Sequence, residues 1–111
     1  MPKRIPSDTG RAAVRDGDTA TAVRYLLQVL ADAAPGNSVE VRVPPFGAVQ
    51  VIEGPRHTRG TPPNVVELDA STWIAVATGE LAWRDAVDAG RVSASGLRAD
   101  LGGVLPLQWD N

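Results

Sequence analysis

The sequence predicts a single domain of the α/β class, in the α+β sense of helices and strands packed around one core. Two observations carry this. Val39, Val41 and Val43 alternate with Glu40 and Arg42, the period-two signature of a half-buried strand. Val23, Leu26, Leu27 and Leu30 fall at helical spacing in the segment before it and give one apolar face. The chain of 111 residues is short enough for one domain and one modest core.

In chain order, residues 1–17 are polar, with Pro2, Pro6, Gly10 and Gly17, and read as a flexible N-terminal arm. At most, Arg11 to Arg15 makes a helical turn behind Asp8. The folded domain is expected to span residues 18–111. Asp18 or Thr19 caps a helix to about Ala34, and Pro35-Gly36 ends it. Residues 38–43 form the first strand. Pro44-Pro45 stops it, and Phe46 to Glu53 forms a second, paired to the first as an antiparallel hairpin because the link is short.

The stretch Gly54–Asn64 is rich in Pro and Gly and reads as a loop of about eleven residues, a length that often carries function. Val65 to Leu68 is the third strand. Asp69 is an N-cap, and Leu68 with Trp73 has the spacing of a hydrophobic staple. The helix it opens runs from Ala70 to Thr78 and stops at Gly79. A second short helix carries Trp83, Ala86 and Val87 on one face and ends at Gly90. Arg91 to Ser95 is a fourth strand with Val92 and Ala94 pointing inward. Leu97, Leu101, Val104 and Leu105 give a last amphipathic turn or two before Pro106.

Composition narrows function. The net charge of −2 argues against non-specific binding to nucleic acid. No window approaches the roughly 18 apolar residues of a transmembrane segment. With no Cys and one His, neither a disulfide framework nor an ordinary zinc site is expected, and no cofactor is indicated. A cytoplasmic location is the default expectation.

Residues 69–107 resemble the sterol carrier protein type 2 superfamily. The resemblance rests on the capped helix with Trp73, the Thr78-Gly79-Glu80-Leu81 turn, the short helix from Ala86 to Gly90, the strand Arg91 to Gly96, and the Leu-rich end from Leu101 to Leu107. The string Glu53–Asn64, with Val-Arg-Val-Pro-Pro-Phe before it, is similar to a narrower group of small bacterial orthologues. What this implies is a mainly antiparallel sheet of four to five strands, helices packed on one face, an apolar cavity between them, and a terminal helix at the Leu-rich end. It also implies a non-enzymatic carrier of fatty acid, acyl-CoA or sterol-like ligands. The chain departs from the animal carriers in being shorter, acidic, and poor in the Phe and Met that line their tunnel.

Candidate residues follow, each with an ordinary alternative. Leu26, Leu27, Leu30, Trp73, Val76, Leu101 and Leu105 either line an apolar ligand cavity or form plain core. Arg56, His57 and Arg59 either hold an acidic head group or pair with nearby carboxylates and clamp the loop. His57 as a general base is a third reading. Asp85 and Asp88, flanked by Arg84 and Arg91, read as a solvated face rather than an acid/base pair. No Ser/His/Asp or metal spacing is present, so no catalytic or metal-binding residue is assigned. The alternative to a carrier is a protein-interaction module with a vestigial pocket, whose partner is another protein or a second copy in a homodimer.

Overall fold

A computed structural model describes residues 3–54 and 64–110. Its elements, in order, are α1 (Ser7–Asp16), α2 (Thr19–Ala33), β1 (Val39–Val43), β2 (Gly47–Val51), β3 (Asn64–Leu68), α3 (Ala70–Thr78), α4 (Trp83–Asp88) and β4 (Val92–Ser95). The strands form one four-stranded sheet in the order β2-β1-β3-β4, with the helices on one face.

The β1–β2 pair is the expected antiparallel hairpin, with Val41 opposite Val49 and Val43 opposite Gly47. β3 and β4 are also antiparallel, with Val66 opposite Ala94. The central pair is parallel: Val41 lies opposite Val66. After β2 doubles back along one side of β1, the chain crosses to the other side and enters β3 in the direction of β1. The sheet is therefore mixed, and antiparallel at both edges.

One sheet face is apolar because the alternation puts Val39, Val41, Val43, Val51, Val66 and Leu68 on the same side, and all are buried. The side chains of α2 and α3 fill the space above them. Trp73 sits at the centre with no exposed surface, and its indole N–H donates to the Val23 carbonyl at 3.3 Å. That bond answers the one polar group of the largest buried side chain. On the other face, Arg42 pairs with Glu40 beside Glu67.

The caps explain where the helices start. Asp18 accepts from the Thr21 N–H at 3.4 Å, and Asp69 accepts from the Thr72 N–H at 2.8 Å. The bond from the Thr72 backbone N–H, with lesser help from Ser71 and Arg91, holds the Asp69 carboxyl below its ordinary range. α3 ends at Gly79 in the left-handed conformation, φ 87°.

Three sequence expectations change. The first concerns residues 7–16, placed in a flexible arm. They form a ten-residue helix that packs on α2. Its reason is Gly10, which reads as a helix breaker. Gly10 is buried against the Tyr25 ring, and a Cβ there would overlap the ring carbons. The close approach needs glycine and offsets its cost in helix propensity. Second, Ala94 is exposed and Val92 only half-buried, since α4 leaves the outer edge of β4 uncovered. Third, residues 97–105 form turns rather than an amphipathic helix, and Leu97 is fully exposed at 103%. Gly102-Gly103 holds the chain to a single turn, in which Leu105 N–H donates to the Leu101 carbonyl at 3.1 Å.

Candidate functional site

The uncovered part of the sheet borders a groove. α4 is six residues long and buries only Ala86. Its Trp83, Arg84, Val87 and Asp88 border a groove of about 720 Å³ beside β4. Val76 at the end of α3 forms the inner wall, Ala94 of β4 the floor, and Trp83 and Val87 of α4 the overhang. Leu105 and Pro106 close the far side. Arg84, Asp88 and Asp100 contribute the polar groups.

The tail that forms the far wall is pinned. Leu107 is buried, and its N–H donates to the Ala77 carbonyl at 2.8 Å. A Cβ on Gly79 would come within 3.2 Å of Pro106, so the end of α3 and the tail meet closely. Beyond it, the Tyr25 hydroxyl donates to the Trp109 carbonyl at 3.3 Å, and the Arg15 guanidinium lies 5.8 Å from the centre of the Trp109 ring.

The sequence-assigned lining residues do not form one wall. Leu26, Leu30, Trp73 and Leu101 are in the packed core with no exposed surface. Val76 and Leu105 line the groove under α4. Leu27 lines a separate concavity at the opposite edge of the sheet. Trp83, Val87, Ala94 and Leu81 line the groove without having been assigned to a site. The signal was present for the α4 pair: Trp83 and Val87 share a helical face, but a face reads the same whether it meets core or a cleft. Asp85 and Asp88 are both exposed, as a solvated face requires, and Asp88 reaches the groove.

Arg56, His57 and Arg59 lie outside the described residues. The two ends of their loop are placed. Asn64 is buried and spans two segments: its amide N–H donates to the Ser38 carbonyl at 2.8 Å, and its amide oxygen accepts from the Arg98 N–H at 2.9 Å. At the other end, Ile52 has a positive φ of 66°, an uncommon conformation for a β-branched residue. It is held there by bonds from its N–H to the Ala34 carbonyl at 2.8 Å and from the Ser38 hydroxyl to its carbonyl at 2.7 Å. Arg98 immediately precedes Ala99, which lines the groove. One base of the loop therefore adjoins the groove.

Among the described residues, no group of three or more His, Cys, Asp or Glu is placed to hold a metal ion. No described helix is long and apolar enough to cross a membrane.

The architecture is that of a small two-layer α+β domain, with helices on one face of a mixed sheet and a cleft beside its last strand. Residues 15–107 match the family model described as "Bacterial SCP ortholog", and the chain belongs to that family. No curated protein matches the chain.

Proposed function

We propose that the protein is a non-catalytic binding or carrier module for a small apolar, lipid-like ligand of the fatty acid, acyl-CoA or sterol type, taken up in the groove beneath α4. The observation that carries this reading is the groove itself, about 720 Å³ and walled largely by Val76, Trp83, Val87, Ala94 and Leu105, in a chain of the SCP family. Ligand sites typically occupy about 300–1,000 Å³. Each CH₂ moved from water onto such walls contributes about 0.8 kcal/mol, so about ten give roughly 8 kcal/mol before the costs of association, which supports micromolar affinity. Leu26, Leu30, Trp73 and Leu101 support the groove from behind rather than touch the ligand. Arg56, His57 and Arg59 remain the assigned contacts for an acidic head, supported by the bond between Asn64 at their loop's base and Arg98 beside Ala99.

The test is uptake of fluorescent fatty acid, acyl-CoA and sterol probes by delipidated protein. Native mass spectrometry of freshly purified protein is its companion. Ala94→Trp, which fills the floor from an exposed position, is expected to abolish uptake without loss of fold. Failure to bind all three probe classes, or binding indifferent to Ala94→Trp, overturns the reading.

A second reading has its own observation. Leu97 is fully exposed shortly after β4, which among the described residues is an edge strand paired on one side. This favours an interaction or oligomerisation module, with a homodimer as its simplest form. Sedimentation as a dimer that Leu97→Asp converts to monomer supports it, and a monomer at all concentrations removes it.

A further inference from the structure

The β2 edge of the sheet carries a second groove, built by the N-terminal segment. Residues 3–6 run across α2 and are latched to it twice. The Gln28 side chain accepts from the Ile5 N–H at 2.9 Å and donates to the Ile5 carbonyl at 3.0 Å. Arg4 donates to both carboxylate oxygens of Asp32, at 3.2 and 2.6 Å. Between this strap, α2 and the start of β2 lies a groove of about 610 Å³. Ile5, Leu27, Phe46 and Val49 make its floor apolar.

Its rim is cationic. Lys3, Arg4 and Arg24 line it, and none of its described lining residues is acidic. Asp32 takes up the charge of Arg4. Arg24 donates through Nε to the Phe46 carbonyl at 3.0 Å, a neutral acceptor that fixes the side chain at the rim and leaves its charge in place. Lys3 and Arg24 form no ion pair among the described residues, and the acidic side chains of Asp8 and Asp18 lie on the far side of the Thr9 and Thr21 wall, so the rim beside the apolar floor is locally cationic in a chain whose net charge is −2.

We infer that this groove binds a single-chain anionic amphiphile, its tail on Ile5, Leu27, Phe46 and Val49 and its carboxylate or phosphate at the Lys3 and Arg24 rim. Charge complementarity selects the head and the apolar floor selects the tail. The inference does not depend on the groove beneath α4, which lies at the other edge of the sheet and has a rim of mixed sign.

The probe is decanoate, added below its micellar concentration to ¹⁵N-labelled protein, with neutral decanol as its partner. Decanoate is expected to shift the amides of Ile5, Gln28, Gly47 and Val49, and decanol to bind more weakly there. Lys3→Gln with Arg24→Gln is expected to weaken decanoate about two- to thirtyfold, the range for two exposed charge contacts. Raising salt on the unaltered protein weakens it in the same direction, a readout that does not depend on how the variant folds. Thr21→Trp, at the groove wall, is expected to block it, while Ala94→Trp leaves it unchanged. Decyl phosphate in place of decanoate separates the two head groups. The inference is overturned if decanoate shifts only amides around α4 and β4. It is likewise overturned if decanol binds as well as decanoate, or if the same amides shift with protein concentration alone, which marks a second copy as the occupant.

Discussion

The two edges of the sheet are finished in opposite ways. At the β2 edge, α2 lies over the strand, Leu27 and Val51 are buried, and α1 and the N-terminal strap are stacked outside α2. At the β4 edge, a helix of six residues buries one side chain, and the inward-facing Ala94 stays exposed. The strands are similar in length and both alternate. What differs is the helix above. Coverage, rather than strand propensity, decides how far an inward-facing residue is buried: Val51 is core, Val49 is half-buried at the strap's groove, and Ala94 stays exposed.

This contrast sets an order of expected effects. Trp73→Ala, at the centre shared by both edges, is expected to cost about 3–5 kcal/mol, read as a lower urea midpoint. A much smaller loss would mean that the core is less continuous than its burial indicates. Gly10→Ala tests the covered edge: the added methyl meets the Tyr25 ring, so overpacking costs about 1–3 kcal/mol, against about 1 kcal/mol returned by helix propensity. Faster hydrogen exchange confined to α1 is the accompanying sign. Asp69→Ala, which uncaps α3 between the centre and the open edge, is expected to cost about 0.5–2 kcal/mol.

The same cap predicts a pH dependence. Because the folded-state pKa of Asp69 is depressed, its contribution is present above the unfolded value of about 4 and is lost as pH falls through the folded value. Asp69→Asn keeps the cap and is expected to flatten that part of the acid limb in a pH series of thermal melts. Leu97→Ser, at the open edge, is expected to change stability by no more than about 0.5 kcal/mol in the monomer. A larger loss would show that the edge is covered in solution.

The features that sequence reasoning recovered are those set by neighbours in the chain. The Val39–Val43 alternation, the hairpin after Pro44-Pro45 and the Asp69 cap are local arrangements, and each is present in the structure. The features it missed depend on distant partners. Gly10 reads as a breaker until the Tyr25 ring is placed against it. The parallel pairing of β1 with β3 joins strands far apart in sequence, which no short window contains. The candidate site divides in the same way. Val76 and Leu105 read as apolar positions, while Ala94 reads as inward-facing strand, because a strand's alternation does not reveal whether a helix lies above it. Lys3, Arg4 and Ile5 read as part of the arm, since Gln28 and Asp32, which hold Ile5 and Arg4, are far away in sequence.

The three tryptophans give the molecule built-in optical probes. Trp73 is sealed in the core, Trp83 overhangs the groove beneath α4, and Trp109 lies under the Arg15 guanidinium. Their emission colours should differ: Trp73 the bluest, Trp83 responsive to whatever enters the cleft, and Trp109 quenched or released as the tail docks or lifts. Single-tryptophan variants, with Phe at the other two positions, would report global unfolding, ligand entry and tail detachment as separate signals from one unlabelled protein.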